Sequence, residues 1–551
     1  MFSFEIRDRD LLARIGRLKT KSGIVETPLF LPVINPAKQI VQAKDMKKLL
    51  GCEALITNAY IMKKQFGDEP AKNGVHQFLN FHGTIMTDSG AYQILAYGKV
   101  ETTPEDIIQY QEEIDADIAT ILDFPTGWEV SKDYAHHTVE ETLKRARNLE
   151  SVKKREEIAW VGPIQGGRYL DLVMFSAKKM GKLPFQVYAL GSPTPVMEQY
   201  LFDLLLDMIL AAKMNLPPDR PFHLFGAGHP FMFSLAVALG CDLFDSAAYS
   251  IYAKEDRYMT EYGTFRVNEL SYLPCSCPVC TKTDLEEFLD TPGKEREGNL
   301  AKHNLYVCFS EMRRIKQAIT EGRLWEYLEM RAHGHPSLFQ ALKQLRKYSD
   351  YLEQHSPLSK RSGMFFFSSI GLSRPEVTRH RNRLLDRYSP PEGARTLLLL
   401  PRSKVELYRR RRLYERLFRE ICDKVGEKGN KIHICTYSPP FGITPIELED
   451  VYPLSQCEVS HPPDIETISH IVDQVREYIN RTNYEKIIIL SNANTWEEKV
   501  AETCIQTSSA KRFSCEVIKL EHGLNKDLLT NLVANYRRHG LNLMFKSIYP
   551  K

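Results

Sequence analysis

The 551-residue chain has no apolar run long enough to span a bilayer, no internal repeat and no low-complexity tract. A membrane-spanning helix and a repeat architecture are therefore excluded as expectations. Charge of one sign is also missing. The 73 Lys and Arg stand against 70 Asp and Glu, a formal net charge of only +3. Any affinity for nucleic acid must then come from local patches. The opening residues, MFSFEIRDRD, carry charge where a secretion signal needs an apolar stretch, so secretion is not expected. A disulfide framework is absent as well. Of the 11 cysteines, eight are scattered singly and three are packed into PCSCPVC at 274–280. An odd count without paired spacing points to a reducing compartment, and a cytoplasmic location is the expectation.

What is present is an ordinary globular composition, 43% apolar and 26% charged, at a length that calls for two or three domains. The first half has a rhythm. Short apolar runs, each closed by small or polar residues, occupy 27–35, 54–60, 84–92, 118–126, 159–167, 186–193, 221–230 and 241–249. Stretches with helical periodicity, such as PEDIIQYQEEI and MEQYLFDLLLDMILAAKM, lie between them. Strand–helix alternation implies parallel pairing through crossover helices. Eight such units in roughly 250 residues fit an α/β fold of the (β/α)8, or TIM, barrel type. An open doubly wound sheet is the alternative.

In such a barrel, reactive groups gather at the C-terminal ends of the strands. The residues there are Asn58, Asp88, Asp123, Gln165, Gly191, His223 and Asp245. A single aspartate at a strand end is more often a helix cap or an ion-pair partner than a catalyst. Three of them around one mouth change that balance. Asp88 precedes Ser89 and Gly90, Asp123 precedes a proline turn, and Asp245 precedes three small residues. Paired carboxylates suit chemistry at an acetal-like carbon, where one attacks or stabilises positive charge and another handles a proton. His223 and His229 read as hydrogen-bonded structural histidines, and Gly226 and Gly228 as turn residues.

After the eighth run, Cys275, Cys277 and Cys280 form C-x-C-x2-C, and His303 follows in LAKHNLYV. Three thiolates and an imidazole are the ligands of a four-coordinate zinc. Four protein ligands leave no open position, so one structural zinc per chain is expected, in an insertion at about 270–305. The alternative is a chance cluster of cysteines, and His303 is the less secure ligand.

Together, TDSGAYQ, LDFPT, IQGG, HLFGAGHP, FDSAAYSIYAKEDRYMT and PCSCPVC, in this order, resemble the archaeal type of tRNA-guanine transglycosylase over about residues 1–350. The resemblance implies a zinc-bearing (β/α)8 barrel. It implies exchange of guanine at position 15 of the tRNA D-loop for 7-cyano-7-deazaguanine (preQ0), a step toward archaeosine. It also assigns roles. Asp245 is the nucleophile toward the ribose C1′ and Asp88 the general acid/base. Asp123 binds the amidine edge of the base and Gln165 its carbonyl region. Ser89, Tyr92 and Gly191 line the pocket, with Tyr92 either a stacking platform or a core aromatic. The family pattern has a second glycine after Gly191; this chain has Ser192 and Pro193, and proline has no N–H to offer a base.

A linker is expected at 351–363, followed by an α/β three-layer domain at 364–551. Its FFFSSIGLSRPEVTRHRNRLLDRYSPP and PFGITPIELEDVYP resemble the middle domain of archaeosine synthase. That domain's catalytic cysteine is replaced here by Arg402, Glu406 and Leu407 replace its Lys-Pro, and only Tyr408 fits. Without the thiol a non-catalytic role is expected. Arg409, Arg410, Arg411 and Arg412 read as an RNA phosphate contact, against the alternative of a solvated helix face. The resemblance further implies a homodimer and a small RNA-binding PUA module, which is not legible here and is expected on a separate polypeptide. Two other functions compete: an archaeosine synthase-type amidotransferase, and a non-catalytic tRNA-binding subunit of a transglycosylase.

Overall fold

The computed structural model describes residues 2–93, 102–402, 432–511 and 513–520. The run of four arginines, with Glu406, Leu407 and Tyr408, lies outside the described residues. Two compact units form. One comprises Met1–Lys347 with His355–Arg361, and the other Tyr348–Gln354 with the described residues from Ser362 onward.

The first unit opens with β1 (Ser3–Asp10), β2 (Ala13–Thr20) and β3 (Gly23–Thr27), an antiparallel sheet that the sequence reading did not anticipate. Its Leu18 and Val25, with Phe2 and Phe4, pack against Leu29, Ala54, Met86, Ile118, Val187 and Leu243. The next eight strands are β4 (Leu29–Ile34), β5 (Ala54–Asn58), β6 (Thr84–Asp88), β7 (Ile118–Thr120), β8 (Ala159–Ile164), β9 (Val187–Leu190), β10 (Phe222–Leu224) and β11 (Leu243–Ser246). They close into a barrel whose neighbouring strands are all parallel. Every expected run contains one of them. They read as continuous apolar runs because helices cover the outside and side chains fill the inside.

Strand-to-helix junctions use local capping. Asn58 ends β5 and accepts the Ile61 N–H of helix Ala59–Phe66. Thr103 and Asp106 form a reciprocal capping box on helix Pro104–Glu113. At the opposite end of the barrel, Arg14 binds Asp242 through two nitrogens, and Asp242 also accepts the Phe222 N–H. The chain then makes a short hairpin, β12 (Arg257–Met259) with β13 (Thr264–Arg266), and a 29-residue helix, Gly293–Glu321. The 351–363 stretch begins within helix Ser349–His355, and Lys360 is buried in an ion pair with Asp10, 2.7 Å apart.

The second unit holds β14 (Met364–Phe366), β15 (Thr396–Pro401), β16 (Ile432–Ser438), β17 (Gly442–Pro445), β18 (Cys457–Val459), β19 (Lys486–Asn492) and β20 (Ser514–Leu520). Five of them form a sheet in the order β17-β16-β15-β19-β20, parallel except at β17. Leu397, Leu399, Cys435, Tyr437, Ile487 and Ile489 present one face to Ile471 and Val475 of helix Ile465–Arg481 and to Val500 and Cys504 of helix Glu497–Lys511. Leu400, Ile434, Ile488 and Leu490, on the other face, are buried too. Among the described residues no helix is long and apolar enough to cross a membrane.

Candidate active site

Barrel closure carries residues far apart in sequence to one mouth. Asp88 is the last residue of β6 and pairs in register with Asn58 at the end of β5. The Asn58 amide donates to Asp88 Oδ2 at 2.7 Å and to Gln93 Oε1 at 3.0 Å. Burial pushes the Asp88 carboxyl up to about 7, and the charges of Asp123 and Asp245 push the same way. The three expected acids therefore share one electrostatic neighbourhood. Their mutual repulsion favours keeping a proton on one of them.

Asp123 follows β7 and is buried, which raises its carboxyl to about 6 against the hydrogen bond from Gln165. Gln165, one residue beyond β8, donates Nε2–H to Asp123 Oδ2 at 2.5 Å. Its Oε1 accepts from the Thr126 N–H at 2.9 Å and from Ser192 Oγ at 3.1 Å. The Gln165 amide is thus spent largely on fixing Asp123, a role the sequence reading did not give it. Gly191 follows β9, and any side chain there would collide with Gln165, since a Cβ would lie 2.2 Å from Nε2. Ser192, where the family pattern has glycine, sits at φ +57, a left-handed conformation that serine adopts only with some strain.

Asp245 lies within β11, partly open to the mouth. Its Oδ1 accepts from His223 Nε2 at 2.9 Å and from the Gly226 N–H at 3.0 Å. His223 is hydrogen-bonded, as expected, and its partner is the candidate nucleophile itself. His229 is hydrogen-bonded as well. Its Nε2 contacts Thr264 Oγ at 2.8 Å, its Nδ1 caps the following turn, and burial lowers it to about 3.

Ser89 is fully buried, and its hydroxyl has no hydrogen-bond partner among the described residues. A buried hydroxyl left so costs about 1–3 kcal/mol, unless a ligand supplies the partner. Gly90, at φ +93, serves packing as well, because a Cβ there would meet Tyr60 at 2.4 Å. Tyr92 is exposed. Sequence reasoning placed Asn58 and His223 at strand ends but gave neither a contact with the acids. Asn58 also caps helix Ala59–Phe66, and the contact of His223 depends on β10 lying beside β11.

Cys275, Cys277, Cys280 and His303 converge, each offering one ligand atom, all within 4.8 Å of one another. Cys277 and Cys280 Sγ are 3.6 Å apart, and His303 Nδ1 lies 3.5 and 3.3 Å from them. Tetrahedral bonds of about 2.3 Å to sulfur and 2.0 Å to nitrogen place ligand atoms about 3.5–3.8 Å apart, so the set fits one metal ion. His303 Nε2 donates to the Met259 carbonyl at 2.9 Å, which turns Nδ1 toward the thiols. Tyr258 stacks on His303 at 3.7 Å, and its hydroxyl lies 3.2 Å from Cys280 Sγ.

The family model described as queuine tRNA-ribosyltransferase matches residues 9–337, and a domain of unknown function, DUF5591, matches 377–534. The tRNA-guanine(15) transglycosylase of Saccharolobus solfataricus is 41% identical over 89% of this chain and 97% of its own length. That of Sulfolobus acidocaldarius is 40% identical over 88% and 95%. The Methanosarcina acetivorans protein of the same name is 44% identical over 85% and 89%. With a match over residues 9–337 and identities of 40% or more over most of the chain, this chain belongs to the queuine tRNA-ribosyltransferase family.

Proposed function

We propose that this chain is a tRNA-guanine(15) transglycosylase, exchanging guanine in the tRNA D-loop for 7-cyano-7-deazaguanine. The observation that carries the reading is the placement of Asp88, Asp123 and Asp245 at the C-terminal ends of three strands of one closed barrel. Asp245 attacks C1′ of the ribose. The C1′–N9 bond breaks, its electron pair leaves with guanine, and Asp88 delivers a proton to the departing base. The incoming base then gives its N9 proton to Asp88 and attacks C1′, and the ester electrons return to Asp245. A carboxyl raised to about 7 suits both tasks, because a group whose proton affinity lies near the working pH can both give and take a proton. Asp123, held by Gln165, accepts from the base's N1–H and 2-amino group. Ser89 supplies its unpartnered hydroxyl to the base, Gly191 keeps the wall close, and Tyr92 flanks the entrance.

Zinc would be held by the Cys275–Cys277–Cys280–His303 set and would tie the 275–280 loop to the long helix. We take residues 1–350 as the catalytic domain, 351–363 as the connection and 364–551 as a non-catalytic domain related to that of archaeosine synthase. Arg402, in the position where that enzyme has its thiol, donates to the Leu454 carbonyl at 2.8 Å, a structural contact. The working form is a cytoplasmic homodimer that acts on tRNA.

The test is incorporation of labelled guanine into tRNA by the wild type, Asp245→Asn and Asp88→Ala. Exchange by the wild type alone supports the reading. A wild type that exchanges nothing, even with a PUA protein supplied, overturns it.

A further inference from the structure

We propose that His223 is a positioning residue that governs how readily Asp245 lets go of the sugar. The inference rests on the assignment of Asp245 as nucleophile given above. Asp245 Oδ1 accepts two hydrogen bonds, from His223 Nε2 and from the Gly226 N–H, whereas Oδ2 has none among the described residues. An ionised carboxylate can only accept, so Nε2 carries the proton of that contact. The two oxygens are therefore not equivalent. Oδ1 is pinned to the wall, and Oδ2 keeps its lone pairs for C1′.

The imidazole cannot easily leave this pose. His223 is fully buried in β10 and packs edge-on against Phe225 at 4.6 Å. Its other nitrogen, Nδ1, is buried with no hydrogen-bond partner among the described residues. Its bond to Asp245 is thus its one polar anchor there.

The consequence concerns the two halves of the exchange unequally. When Oδ2 bonds to C1′, the carboxylate becomes an ester and Oδ1 becomes a neutral carbonyl oxygen, a weaker acceptor. When the incoming base attacks C1′, the C1′–Oδ2 bond breaks, its electron pair returns to the carboxylate, and Oδ1 regains negative charge. The Nε2–H bond strengthens as this charge develops, because hydrogen bonds to charged acceptors are the stronger ones. His223 therefore favours release of the sugar over its retention.

The experiment follows the covalent tRNA adduct on denaturing gels after acid quench, for wild type, His223→Phe and His223→Gln. Glutamine can bring an amide N–H to nearly the place of Nε2; phenylalanine keeps the ring and removes the donor. In H223F the expectation is about a tenfold larger adduct fraction at steady state. Its kcat should fall about 10- to 100-fold, with the KM for the incoming base nearly unchanged. H223Q is expected to recover most of both. Adduct fraction and kcat in H223F equal to those of the wild type would overturn the proposal. So would an H223Q variant as impaired as H223F, because the donor would then not be what matters. A wild type that forms no adduct at Asp245 would instead remove the nucleophile assignment on which the inference stands.

Discussion

Both units of this molecule bury a cluster of ionisable side chains on parallel strands, and they use it in opposite ways. At the barrel mouth the acids stand at or just past strand ends, and burial, joined by the like charges of Asp123 and Asp245, raises Asp88. In the second unit His433 stands near the start of β16. Its Nδ1 meets the Tyr484 hydroxyl at 2.6 Å and its Nε2 the Tyr388 hydroxyl at 3.0 Å. Tyr388 donates in turn to Glu447, and Tyr484 meets Tyr478 at 3.2 Å. Burial opposes the charge on Glu447, yet hydrogen bonds from His433 and Tyr388 hold it below the ordinary carboxylate range. Cys435 is fully buried, which pushes its thiol far up and makes it inert. A cluster whose members satisfy one another stabilises a fold. A cluster left in mutual repulsion is poised for chemistry.

Breaking either cluster should therefore have different readouts. The largest effect is expected for Asp245→Asn, a loss of guanine exchange of at least about 10³-fold with an unchanged melting temperature. Comparable exchange by the variant would erase the contrast. Next comes the metal group. Cys277→Ser should lower bound zinc from about one equivalent toward none and expose residues 257–303 to proteolysis, since such sites fold with their ion. Metal analysis and limited digestion check this.

In the second unit, His433→Phe removes one hydrogen-bond partner from each of the Tyr388 and Tyr484 hydroxyls. It should lower stability by about 3 kcal/mol in denaturant titration while kcat for exchange stays within about twofold. A matching loss of kcat would make the two clusters functionally one.

The smallest effect is a gain. Asp88 in the folded chain holds its proton up to about pH 7, whereas an unfolded aspartate releases it near 3.8. Between those values the folded state binds more protons, so stability falls as pH rises. Asp88→Asn removes that loss. Its stability advantage should grow from about pH 4 to pH 7 and then level off near 2 kcal/mol, reduced from the full displacement because Asp88 is partly open to the mouth. An advantage independent of pH would show that burial and the neighbouring charges do not raise Asp88.

The eight barrel runs were legible because strands covered on both faces must be apolar along their whole length, and their polar terminal residues stood out against that background. Cys275, Cys277 and Cys280 were legible because close thiols have few other uses in a reducing setting. The N-terminal sheet was not, since β1 alternates exposed and partly buried positions and its charged residues mask the pattern. Gln165 could be placed at the mouth but not assigned its bond to Asp123, and His223 could be placed on a strand but not beside Asp245.

The order of residues alone pointed to a barrel, to the acids at the ends of its strands and to the three clustered thiols, because periodicity and spacing are local properties of the chain. Only the folded structure decided which acid holds its proton, which oxygen of Asp245 is pinned and which is presented, and which polar cluster is silent. Those outcomes depend on burial and on contacts between strands distant in sequence, which no single stretch of residues contains.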